Sequence, residues 1–215
     1  MRPDEIAVAL RRAVRERAIS PGQAVNQDEL ARRFGVSRIP LREALRTLVG
    51  EGLIIMKPGL GAVVTELDAS EVSELYGLRL QLEPPLAKDI VDHVRRRDLD
   101  DLATLVASMK ALGENESEEW SNLNYRFHRR AYELSERRHA VRLVVQVLNL
   151  VEPYARVHAH VLGSRPDTQQ QWDEVIEAMR SGDSERLEQL IAEGIRSAQE
   201  ALMSSMGPGP TRDLD

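Results

Sequence analysis

Hydrophobic positions recur along this chain with two different periods, and the change falls near residue 67. Over residues 3–18, Ile6, Leu10, Ala13 and Val14 keep helical spacing, Arg17 continues it, and a first helix is predicted. The stretch Ser-Pro-Gly-Gln-Ala-Val, residues 20–25, reads as a turn and a short extended piece. Asn26 is placed to cap a second helix over 27–34 that buries Leu30, Ala31 and Phe34. Gly35-Val36-Ser37 forms a three-residue turn, with glycine suited to a positive φ just past a helix end. A third helix over 38–50 carries Leu41, Ala44, Leu45, Leu48 and Val49 on one face, and Gly52 stops it. Residues 53–67 are two β-rich runs around a Pro-Gly-x-Gly tip, the signature of a hairpin.

Beyond residue 67 the strand signals cease. Asp68 and Glu71 have capping-box spacing ahead of a helix reaching about residue 92. Further helices are predicted at 98–113, 116–136, 138–162, 167–181 and 183–204, with Asp98, Asp101 and Asp183 as start signals. Pro153 is expected to kink the fourth of these six helices. The fold class is therefore mostly α. A winged helix-turn-helix of three helices and a β-hairpin (1–66) precedes an all-α bundle of about six helices (67–204), and a disordered tail is expected over 205–215.

Composition narrows the function. Hydrophobic residues make up 42%, enough for a sizeable core, while aromatics at 4% argue against a stacking platform for single-stranded nucleic acid. No apolar run is long enough to span a bilayer, and the N-terminus is too charged for a signal peptide. There is no cysteine, hence no disulfide framework or thiolate metal site, and a cytoplasmic location is expected. Net charge is −6 but unevenly spread. Residues 1–64 hold 11 Lys/Arg against 7 Asp/Glu, whereas 65–215 hold 18 against 28. The basic first third is the part suited to nucleic acid.

The third helix carries the most specific chemistry. With Ser37 as N-cap, Pro40 is the third helical residue, where a missing N–H matters little. Arg38, Arg42 and Arg46 step by four, drifting about 40° each time, and form a cationic stripe beside the buried face. A helix entering the major groove by its N-terminus uses such side chains, with arginine bidentate to guanine and phosphate on the helix end. A lone arginine-rich helix is usually just a solvated face. Here the preceding helix, the glycine turn and the following hairpin all stand where DNA binding needs them.

The stretch around it, "ELARRFGVSRIPLREALRTLVGEGLI", resembles the winged-helix domain of GntR-type bacterial transcription regulators. The motif Ser-Arg-x-Pro-x-Arg-Glu-Ala-Leu matches at Ser37, Arg38, Pro40, Arg42, Glu43, Ala44 and Leu45. The resemblance implies that Ser37, Arg38 and Arg42 contact DNA, that Gly59 and Gly61 let the wing approach the minor groove, and that Lys57 meets a phosphate. Asp28 departs from the family pattern, in which relatives often carry a basic or polar group there. Residues 68–204 resemble the FadR-type effector domain of the same regulators. The marks are "LRLQLEPPLA" with Arg79 and Glu83, "NYRFHRRAYELS" with His128, and "VIEAMRSGDSERLEQLI". That resemblance implies a homodimer and a small-molecule effector, chiefly a metabolic acid or acyl thioester, held in a bundle cavity; one winged helix covers only a few base pairs, so a palindromic double-stranded operator with two half-sites is expected.

Many members of that group hold a divalent metal on an Asp, a His four residues later, and two further His. This chain places Asn124, His128, Trp172 and Gly194 at those positions, so no metal cofactor such as zinc is expected. The expected effector site is Arg79, Glu83, Asn124, His128 and Trp172. Arg79 reads either as a carboxylate binder or as an i,i+4 partner of Glu83. His128 reads as a pocket hydrogen-bonding group or a core histidine, and Trp172 as ligand contact or packing. His158 and His160, two apart, point to different faces. The single Glu-x-x-His motif at Glu136 and His139 lacks the second copy that a di-iron bundle requires, and no other catalytic motif is present. The sequence thus reads as a ligand-responsive repressor and not an enzyme; an effector-independent architectural DNA binder is the alternative.

Overall fold

A computed structural model of the chain describes residues 1–113, 116–158 and 166–206. They form two compact units that divide between Leu67 and Asp68. In the first unit, α1 (Pro3–Arg15) has proline at its first position and Asp4 and Glu5 in its first turn, where acidic groups suit the helix dipole. It buries Ile6, Ala7, Leu10 and Val14. It stops short of residue 18 because Arg17 takes a φ of 57°, which no helix accommodates. In α2 (Gln27–Phe34), Asn26 Oδ1 accepts the Glu29 N–H at 3.0 Å. Gly35 closes the helix in the left-handed region, φ 63°, with Val36 N–H on the Ala31 carbonyl. Only Ala31 of the expected buried trio is fully buried; Leu30 and Phe34 are half-buried.

Helix α3 (Arg38–Gly50) buries Leu41, Ala44, Leu45 and Leu48 and packs on α1, α2 and the hairpin. Val49, expected on this face, is exposed: it lies about 100° past Leu48, beyond the reach of α1. Arg11 of α1 grips Glu51 at the rear of α3 through two hydrogen bonds, 2.8 and 2.6 Å. Strands β1 (Ile54–Lys57) and β2 (Gly61–Val64) pair antiparallel, with Ile54 opposite Val64 and Lys57 opposite Gly61. Gly59 and Gly61 both have positive φ, 77° and 73°, so the tip requires glycine.

The second unit is entirely helical among the described residues. Its helices are α4 (Ala69–Leu82), α5 (Ala87–His93), α6 (Arg96–Lys110), α7 (Ser117–Tyr132), α8 (Arg138–Ala155), α9 (Pro166–Ser181) and α10 (Ser184–Met206). Asp68 and Glu71 form the expected reciprocal cap, 2.8 and 2.9 Å. The helix expected to run to about 92 is divided by a 3-10 turn at Pro84–Leu86, because two successive prolines donate no helical hydrogen bond. Arg95 rather than Asp98 precedes α6; Asp98 sits one turn in and reaches back to the Arg95 N–H at 3.0 Å. Asp183 caps α10 through the Arg186 N–H at 2.9 Å. Around Pro153, α8 continues for two residues and tightens into a 3-10 turn, Arg156–His158. His160 and the tail from 207 lie outside the described residues, as does the side chain of His158. Helix α7 packs on α6 and α8, α10 on α4 and α5, and α9 on α6 and α10. No described helix is long and apolar enough to cross a membrane.

Candidate functional site

The front of α3 leaves its polar and cationic side chains exposed. Ser37 takes extended backbone angles as N-cap, yet its hydroxyl makes no capping bond. Pro40 is half-buried behind it. Arg42 and Arg46 are exposed on the same side, and Lys57 and Gly59 are exposed at the wing, with Gly61 half-buried beside them. Arg38 is also exposed, but its Nη2 lies 2.6 Å from Oδ1 of Asp28 on α2. The departure noted at Asp28 thus touches the first arginine of the stripe. Ile39, which sequence reasoning passed over, is 71% exposed between Arg38 and Pro40. An isoleucine on the polar side of the helix was the available signal. An exposed apolar group there can meet a thymine methyl in a major groove.

The second unit contains a cavity of about 120 Å³. Its wall contains Arg79, Asn124, His128 and Trp172, together with Gly194. On α7 the lining residues Trp120, Asn124, His128 and Tyr132 follow at intervals of four, one helical turn apiece. Trp172 is both wall and core: it packs against Trp120 at 5.6 Å and Phe127 at 6.4 Å between ring centroids. Asn124 and His128 share the cavity without bonding each other; His128 instead stacks on Tyr132 at 6.2 Å and 22°.

Glu83 stands behind this wall and is fully buried. It accepts hydrogen bonds from Arg79 Nε at 2.6 Å, Arg79 Nη2 at 3.2 Å and the Tyr132 hydroxyl at 2.5 Å. Of the two readings of Arg79, the i,i+4 pair is the one formed. Burial opposes the guanidinium charge, but Glu83 overrides it and the Arg79 pKa is raised. The guanidinium also lies over the Tyr76 ring at 4.9 Å. Burial pushes His128 down to about 4, and the nearby Arg79 cation adds to this, so the ring is neutral near pH 7. The same burial, with Glu83 beside it, raises the Tyr132 pKa and keeps that hydroxyl protonated as a donor.

Two further polar lining residues, Glu152 and Gln171, were not foreseen. Glu152 and the neighbouring Asn149 are buried on α8, where they accept from Ser121 and Tyr125, each at 2.7 Å. Two polar residues three apart in the otherwise apolar run 147–153 were the signal for a lined interior. Gln171 donates to the Leu190 carbonyl at 3.0 Å and occupies the space left by Gly194, where a Cβ would stand 2.9 Å from its Nε2. These residues do not fit a divalent metal. Asn124 is a neutral amide, Trp172 offers no lone pair, and the place of a fourth ligand is filled by an amide already bonded to backbone. No three His, Asp or Glu side chains converge among the described residues.

Known proteins match both units. Residues 3–64 match the family model of bacterial regulatory proteins, gntR family, and residues 74–197 match the FCD domain. An uncharacterised HTH-type transcriptional regulator of Bacillus subtilis (strain 168), YdhC, is 29% identical over 161 residues, covering 74% of this chain and 71% of that protein. The gluconate operon transcriptional repressor of Bacillus licheniformis is 31% identical over 128 residues, covering 57% of this chain and 51% of the repressor. In fold, the chain is similar to E. coli McbR/YncC, with a TM-score of 0.84 at 20% identity over 94% of this chain and 97% of the other. With a winged helix that presents arginines at its front, followed by a matching helical domain, the chain belongs to the GntR family of bacterial DNA-binding transcription regulators, its second part an FCD domain, and is a regulator rather than an enzyme.

Proposed function

We propose that the protein is a small-molecule-responsive repressor that acts in the cytoplasm as a homodimer on a palindromic operator. Ser37, Arg38, Arg42 and Arg46 read the major groove from α3, Pro40 sets the start of that helix, and Lys57, Gly59 and Gly61 bring the wing to the backbone. One winged helix covers few base pairs, so specificity calls for two half-sites. The acidic bundle is unsuited to DNA and supplies the dimer contact. Repression is supported by the gluconate operon repressors among the relatives.

The cavity carries the sensing half of this reading. A filled core would favour an architectural DNA binder; a cavity of about 120 Å³ favours a sensor. A cavity of about 150 Å³ holds benzene, so this one admits on the order of five or six non-hydrogen atoms. That matches a small acid in size and is too little for an acyl thioester of coenzyme A. The effector binds one arrangement of the bundle better than another, and so shifts the population competent for DNA. Native mass spectrometry of the purified full-length chain tests both halves together. A dimer carrying a small organic ligand is expected. A monomer refutes the two-half-site scheme, and a dimer that takes up no small molecule from a metabolite mixture returns the protein to the architectural reading.

A further inference from the structure

Most polar groups that line the cavity are already engaged. Arg79 and the Tyr132 hydroxyl bond to Glu83, Tyr125 to Asn149, and Gln171 to the Leu190 carbonyl. Two groups on α7 are not. The Asn124 carboxamide and the His128 ring are half-buried, line the same wall one helical turn apart, and make no hydrogen bond to any described residue. A polar group held away from bulk water without a partner costs free energy, so both are left to bond with whatever fills the cavity.

The chemistry of these two groups narrows that occupant. A carboxamide presents an acceptor and a donor side by side, whichever way the amide is turned. Its complement is a carbonyl and an N–H on one edge, the arrangement of a cis amide. Open-chain secondary amides are overwhelmingly trans, whereas a small ring fixes the cis form in advance. His128, neutral near pH 7, keeps one N–H for the second lone pair of that carbonyl. A carboxylate is an acceptor only, and would set an oxygen against Asn124 Oδ1. The remaining wall is largely aliphatic, with Leu148, Val151, Val175, Leu190 and Ile191, and suits the methylenes of a ring. We propose that Asn124 and His128 form the recognition edge for a small cyclic amide, a five-membered lactam or cyclic urea, whose carbonyl and N–H pair with the Asn124 carboxamide while its ring lies on the aliphatic wall. The proposal rests on the cavity being the effector site.

Four probes with equal numbers of non-hydrogen atoms test it. 2-Pyrrolidinone carries the cis amide. In γ-butyrolactone and cyclopentanone an oxygen or a methylene replaces the N–H, and butyrate is a carboxylate. Both tryptophans of the chain, Trp120 and Trp172, line the cavity, so their indole N–H resonances in a two-dimensional NMR spectrum of the full-length protein report its occupancy. 2-Pyrrolidinone is expected to bind at least about tenfold more tightly than each of the others, because a missing N–H leaves Asn124 Oδ1 unpaired. A lactone, ketone or carboxylate that binds as tightly overturns the cis-amide assignment and leaves the cavity a binding site. Silence from all four at millimolar concentration overturns this proposal and the effector-site reading together. Asn124→Leu, of similar bulk, is expected to lower affinity for 2-pyrrolidinone about tenfold, to that for cyclopentanone. A preference that persists in this variant, with circular dichroism matching the native protein, overturns the role of Asn124; where the variant does not fold, the ranking on the native protein decides.

Discussion

The Arg79–Glu83 pair makes a quantitative stability prediction. Arg79→Met keeps the bulk of the side chain but leaves the Glu83 carboxylate, which has no solvent exposure, with the Tyr132 hydroxyl in place of three hydrogen bonds. Removing one partner of a buried pair destabilises by about 3–5 kcal/mol, because the survivor keeps its desolvation penalty without its counter-charge. For a domain of this size each kcal/mol lowers the melting temperature by about 2–4 °C, so a drop of roughly 6–20 °C is expected. The double variant Arg79→Met with Glu83→Leu removes both charges and is expected to recover most of that loss, with a coupling of about 2 kcal/mol or more between the sites. Urea and thermal unfolding followed by tryptophan fluorescence isolates the second unit, since both tryptophans lie there. If Arg79→Met unfolds within about 0.5 kcal/mol of the native protein, or the double variant is no more stable than the single, the pair is not the buried electrostatic unit described above.

Four further outcomes are expected. Arg42→Ala weakens binding to the cognate operator by roughly 1–3 kcal/mol and binding to unrelated DNA much less; equal losses on both, in fluorescence anisotropy, reduce Arg42 to a phosphate contact. Asp28→Ala removes an exposed anion 2.6 Å from Arg38 and is expected to tighten binding to random-sequence duplex and steepen the salt slope by about one; an unchanged slope means that Asp28 does not withhold Arg38 from phosphate. Ile39→Ala is expected to relax one thymine preference per half-site in selection from a randomised duplex library, with at most about 1–3 kcal/mol lost on the selected site; an unaltered consensus removes Ile39 from base reading. The His128 pKa, near 4 when folded, lies below the unfolded value near 6.5, so its contribution to stability is whole above pH 6.5. It is lost as pH falls toward 4, by about 3 kcal/mol in all, and His128→Gln is expected to flatten that slope in denaturant titrations.

What could be read in advance divides along physical lines. Local rules sufficed for the Asn26, Asp68 and Asp183 caps, the left-handed Gly35 and the two glycines of the wing, because backbone geometry at those points depends on near neighbours. The row of lining groups on α7 was half visible, since Asn124 and His128 are one turn apart; Trp120 and Tyr132 extend it by the same interval. The fate of Arg79 was undecidable from sequence. Its i,i+4 partner was evident, but the burial that commits it comes from the Tyr132 hydroxyl, 49 residues from Glu83. Gly194 reads in sequence as an empty position, yet Gln171 fills it from another helix. Val49 failed for a related reason, because the width of a buried stripe depends on the neighbour it meets.

The clasp of Arg11 on Glu51 lies at the opposite end of α3 from Ser37 and Arg38, away from the groove. A helix of 13 residues is about 20 Å long, and α3 is held along its inner face by Leu41, Ala44, Leu45 and Leu48 and at its rear by this clasp. A tilt of about 3° at the root swings the tip by about 1 Å, enough to break a hydrogen bond to a base edge. Under the proposed docking the clasp is a polar restraint on the aim of α3 from the end away from DNA, and Arg11→Ala is expected to blur which sequence is read while leaving every proposed groove-facing side chain intact.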